Sequence, residues 1–118
     1  MESDGDKRTK ESGVRNRRYS IRHPFAADTE MLELKSGSRV SGVTSDLSLG
    51  GCFVCARRTL DVGARVRATL THEGQEVKIL AVVRVVKPGV GIGLEFLDVA
   101  PDSNATLLAW IENLRKSR

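Results

Sequence analysis

Long hydrophobic runs are missing from this 118-residue sequence, and none approaches the roughly 18 apolar residues that a membrane-spanning helix needs. The N-terminus has no apolar segment of the kind found in secretory signals. Two cysteines are too few for the disulfide framework of a small secreted protein. Together these absences favour a cytoplasmic protein that does not insert into membranes.

Aromatic residues are also scarce, at 4% of the chain, which argues against a surface of stacking platforms for single-stranded nucleic acid. The net charge of +4 is unevenly distributed: residues 1–22 hold seven basic and four acidic side chains, and residues 23–118 hold 12 and 11. DNA-binding proteins more often spread positive charge over a folded face, so we expect neither DNA nor RNA as a partner. The alternative, a small barrel that binds nucleic acid through its basic arm, predicts a steep salt dependence.

Large apolar side chains are few in the first 22 residues, where only Val14, Tyr19 and Ile21 occur. Such a segment cannot bury enough surface to offset the entropy lost on ordering. We therefore predict a disordered arm over residues 1–16 and a folded domain over residues 17–118. The segment 17–22 is expected to be extended, because Pro24 disfavours helix in the residue before it.

From residue 25 onward, short apolar runs alternate with turn signals such as Glu73-Gly74 and Pro88-Gly89. This spacing indicates an all-β sandwich or barrel. Residues 77–86 are largely apolar on both faces, which predicts a central strand with further cover on its outer side. The predicted strands are Phe25–Leu34, Val40–Asp46, Cys52–Ala56, Arg65–Thr71, Val77–Val86 and Gly91–Leu97.

The last segment, about 102–116, is predicted to be the helix that provides this cover. Pro101 is followed by three residues that can cap helical amides, Asp102, Ser103 and Asn104. An apolar stripe recurs at helical spacing, and basic residues follow it near the C-terminus, where cations are favoured. Trp110 belongs to this stripe, so we interpret it as a packing residue; a role in ligand stacking is the alternative.

Cys52 and Cys55 form a lone CxxC pair, and the two histidines lack the spacing that would complete a zinc site. In a strand, an odd separation places the two thiols on opposite faces, and both are interpreted as buried structural cysteines. The glycine-rich segment 89–93 lies between strands, which favours a hairpin turn and a close approach of chain or ligand over a dinucleotide fingerprint. No catalytic motif is present, so we expect no enzyme activity.

Two short motifs remain. Arg18 and Arg22 have the spacing RxxxR, and Asp46, Ser48 and Gly51 have the spacing DxSxxG. Taken separately, the first motif is typical of a solvated charge run, which occurs by chance in many basic tails. The second reads as a polar turn, in which the glycine permits a positive φ.

Taken together and in this order, the two motifs resemble those of the PilZ domain family. The resemblance runs from Arg17 to the end of the chain, through RRYSIR, TSDLSLGGCFV, GVGIGLEFL and the closing amphipathic helix. It implies a six-stranded antiparallel β-barrel of the PilZ-like split type with a C-terminal helix. Members with both motifs are receptors for the bacterial second messenger cyclic di-GMP, whereas members without the arginines act as adaptors that bind only proteins. A nucleotide-independent adaptor is therefore the alternative function.

The chemistry of cyclic di-GMP suits these residue types. A guanidinium forms a planar fork that pairs with phosphate oxygens or with guanine O6 and N7, and a carboxylate can accept from guanine N1–H and N2–H. A serine hydroxyl can donate to a phosphate or a base edge, and glycines leave room for the ligand. The expected ligand-binding residues are Arg17, Arg18, Arg22, Asp46, Ser48, Gly50, Gly51 and Gly93.

Arg17 immediately precedes RxxxR, and an arginine at this place resembles the family arrangement that accepts an intercalated cyclic di-GMP dimer. No other cofactor or metal is expected. The arginine segment 17–22 is predicted to order when the ligand binds. The output would then pass to an unidentified downstream protein that controls motility, surface polysaccharide or biofilm formation.

Overall fold

The computed structural model describes residues 21–116, which fold into seven strands and one helix. The predicted arm 1–16, the arginines Arg17 and Arg18, and the last two residues lie outside this range. The elements are β1 His23–Pro24, β2 Asp28–Glu33, β3 Arg39–Leu47, β4 Gly51–Cys55, β5 Arg65–His72, β6 Gln75–Lys87, β7 Gly91–Val99 and α1 Pro101–Lys116.

Six of these strands close into an antiparallel barrel. The strand order is β3-β2-β5-β6-β7-β4, and β4 pairs back onto β3 to complete the ring. The two-residue strand β1 is added beside the end of β3, with His23 opposite Leu47 and Pro24 opposite Asp46. The all-β class, the six-stranded barrel and the C-terminal helix predicted from the sequence are confirmed.

The first predicted strand, Phe25–Leu34, is wrong at its N-terminal end. Residues 25–27 form no strand, and β2 begins at Asp28. The Thr44 hydroxyl on β3 accepts from Ala27 N at 2.8 Å and donates to the Phe25 carbonyl at 2.5 Å. A side chain thus replaces part of the strand ladder here, so the chain changes course between β1 and β2 while its backbone groups stay bonded.

Alternation along the strands fills the barrel interior, as period-2 patterning requires. On β6, the inward side chains of Val77, Ile79, Ala81 and Val83 are all buried. The tightest turn joins β5 to β6 through Glu73 and Gly74, whose φ angles of 50° and 80° fit a two-residue hairpin. Because β5 and β6 are paired along their length, the outward-facing residues of these two strands keep a fixed register.

Helix α1 packs against β6, as predicted. It begins at Pro101, and Leu107, Trp110 and Ile111 are buried against the barrel. The Ser103 hydroxyl is not a helix cap: it accepts from the backbone N of Lys78 at 2.8 Å and so ties the helix to β6. Within residues 21–116, no helix is long and apolar enough to cross a membrane.

Trp110 is a packing residue, as interpreted from the sequence. It is 5% exposed, and its ring centroid lies 5.1 Å from that of Phe25 and 5.7 Å from that of His72. Its indole N donates to Gln75 Oε1 at 3.2 Å, which satisfies the one polar atom of the ring. This aromatic cluster fixes the helix beside the segment that leaves β1.

Candidate ligand-binding site

The two sequence motifs meet on the barrel surface at Arg22 and Asp46. Arg22 Nη1 donates to Asp46 Oδ1 at 2.7 Å. Antiparallel pairing of β1 with the end of β3 creates this contact, because Pro24 lies opposite Asp46 and Arg22 is two residues further back. The side chains are 49% and 29% exposed, so both remain accessible to a ligand.

Asp46 also accepts a hydrogen bond from the neighbouring strand β4. Its Oδ1 accepts from the backbone N of Phe53 at 3.1 Å, across the β3–β4 pair. The register of this pair shifts between Thr44 and Asp46, which leaves Ser45 as an extra residue on β3. A bulge of this kind re-aims the side chain that follows it, and here it directs the carboxylate toward Arg22.

Ser48 shapes the turn between β3 and β4 and is only 2% exposed. Its Oγ accepts from Gly50 N at 3.2 Å and from Gly51 N at 3.0 Å, and it donates to the Gly51 carbonyl at 3.2 Å. These three bonds engage the hydroxyl fully within the turn. The structure therefore places Ser48 inside the turn, where its hydroxyl fixes the backbone amides of Gly50 and Gly51.

The glycines of the DxSxxG motif have a different role from the one expected of a turn. Among the described residues, positive φ angles occur at Glu73, Gly37, Gly63, Gly74 and Gly89 but not at Gly50 or Gly51, so the expected positive φ is wrong. Gly51 is buried, and a Cβ there would collide with the Leu94 carbonyl oxygen. The close approach that Gly51 permits is thus between β4 and β7, and Gly50 accepts from Phe96 N at 2.8 Å.

Gly93 lies on the same outer face, opposite Phe53 of β4. The Phe53 ring extends over β7: a Cβ at Gly91 would lie 2.7 Å from its Cε2, and one at Gly93 would lie 3.7 Å from its Cδ1. The Lys87 ammonium lies 5.4 Å from the ring centroid. Phe53 and Lys87 could not be predicted from the sequence, because only the strand register shows that they border the site.

The two cysteines differ in exposure. Cys52 is buried and Cys55 is exposed, so the thiols lie on opposite faces as predicted, but the prediction that both are buried is wrong for Cys55. The alternation that buries Cys52 necessarily turns Cys55 outward. Burial raises the pKa of Cys52 to about 12; nearby Asp46 raises it and Arg22 lowers it.

No metal centre accompanies the site in the part of the chain that the structure describes, where no three His, Cys, Asp or Glu side chains are placed to hold an ion. Of the eight predicted ligand-binding residues, Asp46, Arg22, Gly50 and Gly93 share one surface. Ser48 and Gly51 lie beneath it, and Arg17 and Arg18 are outside residues 21–116.

Comparison with known proteins agrees with the architecture. A family model described as the PilZ domain matches residues 16–113, and the chain belongs to this family. Its structure is similar to the PilZ domain of CeSA from a cellulose synthesizing bacterium, with a TM-score of 0.62 and 24% identity over 81% of this chain and 99% of that one. No curated protein is significantly similar in sequence.

A second similar structure is the Bacillus subtilis inhibitor of motility, MotI/DgrA. The TM-score is 0.65 and the identity 18%, over 83% of this chain and 51% of that one. This chain therefore spans about half the length of that protein. At these identities the two neighbours establish the fold, and the functional argument depends on the site.

Proposed function

We propose that this protein is a receptor for cyclic di-GMP. The observation that carries the proposal is the contact between Arg22 and Asp46, which joins the two motifs at one exposed place on the barrel. Membership of the PilZ family supports it, because domains of this family generally bind this nucleotide. A charged pair that remains accessible beside a glycine-containing strand suits a ligand with both anionic and hydrogen-bonding groups.

Arg22 contributes charge and geometry to binding. Only its Nη1 is engaged with Asp46, so other guanidinium N–H groups remain for a phosphate or a guanine edge. Asp46 uses Oδ1 for both of its bonds within the described residues, which leaves Oδ2 to accept from guanine N1–H and N2–H. The pair thus presents donors and an acceptor side by side, as recognition of guanine requires.

Ser48 contributes through the turn. Its hydroxyl bonds fix the amides of Gly50 and Gly51, and this fixes the end of β3 on which Asp46 lies. In the proposed site, Ser48 positions the binding residues without contacting the nucleotide. Arg17 and Arg18 are proposed to close over the ligand, with Arg17 favouring an intercalated dimer.

The proposed signal is the ordering of the arginine segment 17–22, which would create a new surface for a downstream protein. The proposed output is the binding of this protein to the downstream protein in the cytoplasm. The proposed signal involves no enzymatic step. NMR of the free and nucleotide-bound protein tests the ordering: amides of residues 15–23 should become protected from exchange when cyclic di-GMP binds. Equal protection in both states would contradict the switch and leave the receptor assignment intact.

Fluorescence anisotropy with labelled cyclic di-GMP tests the receptor assignment, using Arg22→Lys and Arg39→Lys as a matched pair. Both variants keep the charge and lose the planar fork, but Arg39 lies on a different part of the barrel, beside Glu30. We expect Arg22→Lys to lower the affinity at least tenfold and Arg39→Lys to leave it unchanged. A parent protein that binds no nucleotide would contradict the proposal and favour the nucleotide-independent adaptor.

A further inference from the structure

A second arginine–carboxylate pair lies on the outer face that carries the proposed site. Arg84 of β6 donates through Nε to Glu95 Oε1 of β7 at 2.5 Å, and the side chains are 58% and 50% exposed. The register places Glu95 opposite Gly51, while Asp46 lies opposite Phe53. The two pairs therefore flank β4, one on each side.

Their separation follows from this register. Asp46 and Glu95 are two strand spacings apart across β4 and offset by two residues along it. With about 4.8 Å between strands and about 3.3 Å per residue, their Cα atoms are about 12 Å apart. Between them β4 carries Gly51, from which no side chain projects. Gly51 itself is buried, and the Phe53 ring extends over β7 beside it. No β4 side chain at position 51 therefore obstructs a flat ligand that spans the two pairs.

A β-bulge adjoins each pair. Ser45 is the extra residue on β3 beside Asp46, and Arg84 is itself the extra residue on β6, since Val83 pairs with Leu94 and Val85 pairs with Gly93. Bulges re-aim side chains and are over-represented beside binding sites. Here the bulge frees Arg84 from the ladder and allows its guanidinium to reach Glu95.

Stability alone does not explain why Arg84 and Glu95 are paired, because an exposed ion pair adds almost nothing to the free energy of unfolding. The chemistry of the ligand explains the pair better. Cyclic di-GMP has two guanines, and the first pair, Arg22 and Asp46, accounts for the recognition of one. Arg84 retains its terminal NH₂ groups, and Glu95 Oε2 takes part in no described bond.

Given the proposed function, on which this inference rests, we propose that Arg84 and Glu95 recognise a second guanine of the ligand. Glu95 accepts from guanine N1–H and N2–H, and Arg84 donates to the adjacent O6. Adenine has an amino group in place of O6 and lacks both N–H donors on this edge. The pair therefore also discriminates cyclic di-GMP from cyclic di-AMP.

Calorimetric titration of the whole chain tests this assignment, with cyclic di-GMP and cyclic di-AMP as probes. The variants are Arg84→Ala and Glu95→Gln, and the matched controls are Arg39→Ala and Glu30→Gln. The control residues also form an exposed arginine–glutamate pair, with 3.8 Å between Arg39 Nη1 and Glu30 Oε1. This pair lies on β2 and β3, away from the site. Thermal melting of each variant checks that the barrel is intact.

We expect each site variant to weaken cyclic di-GMP binding at least tenfold, and each control to change it less than twofold. Glu95→Gln should also reduce the preference for cyclic di-GMP over cyclic di-AMP. Parental affinity in both site variants, with binding still weakened at least tenfold in Arg22→Ala, would overturn this inference and leave the proposed function standing. Equal weakening toward both nucleotides would overturn base recognition. A parent that binds neither nucleotide would overturn the proposed function itself.

Discussion

Arg22 and Asp46, 24 residues apart in the sequence, are joined by a 2.7 Å hydrogen bond between Nη1 and Oδ1. The two residues differ in their other contacts. Arg22 has no further described bond, whereas Asp46 also accepts from the backbone N of Phe53 at 3.1 Å. Arg22 is therefore peripheral to the fold, whereas Asp46 contributes to the β3–β4 ladder.

This difference predicts unequal effects on stability. Arg22→Ala removes an exposed ion pair and should lower the free energy of unfolding by less than about 1 kcal/mol. Asp46→Ala also leaves the Phe53 N–H without its acceptor and should cost about 1–3 kcal/mol. Urea denaturation followed by circular dichroism measures both values. Equal losses in the two variants would show that the Phe53 bond contributes nothing.

The Ser48 hydroxyl is predicted to act on stability first and on ligand affinity second. Ser48→Ala removes all three bonds of the turn hydroxyl and leaves two amides without an acceptor, which should cost about 1–3 kcal/mol. Ser41→Ala is the control, because Ser41 is exposed and its hydroxyl has, within residues 21–116, one bond, to Glu30. Urea denaturation of both variants makes the comparison. Unchanged stability in Ser48→Ala would contradict the role of the turn.

Gly51 and Gly93 are predicted to differ sharply in their tolerance of alanine. A Cβ at Gly51 would meet the Leu94 backbone carbonyl, which cannot move without breaking the β4–β7 ladder. A Cβ at Gly93 would lie 3.1 Å from the Val85 Cβ, a side-chain contact that a small shift relieves. Gly51→Ala should cost about 3 kcal/mol or more and Gly93→Ala about 1 kcal/mol. The same loss in both would contradict the packing described for β4.

Local patterns in the sequence were enough to predict six strands and the helix, because alternation and turn residues are local signals. The break after Phe25 was missed because it depends on the hydroxyl of Thr44, 19 residues away. Asp46 and Arg22 were recognised from motif spacing. Glu95 and Arg84 could not be, since their meeting depends on the strand register and on a bulge in β6.

The cysteines predict a simple chemical outcome. Cys55 is exposed, whereas Cys52 is buried with its pKa raised to about 12, so at pH 8 its reactive thiolate is scarce and inaccessible. Ellman's reagent should titrate one thiol per native chain and two after unfolding in urea. The Cys55→Ser variant should show none in the native state. Rapid reaction of two thiols in the native protein would contradict the placement of Cys52.

Isothermal titration calorimetry of the parent chain and of Arg22→Ala with cyclic di-GMP tests the central claim most directly. The parent should bind saturably, and two nucleotides per chain would support the intercalated dimer. Arg22→Ala should lose about 1.5–3 kcal/mol of binding free energy, roughly a tenfold to more than hundredfold weaker affinity, without unfolding. Absence of binding heat in the parent, or the same affinity in Arg22→Ala, would contradict the account.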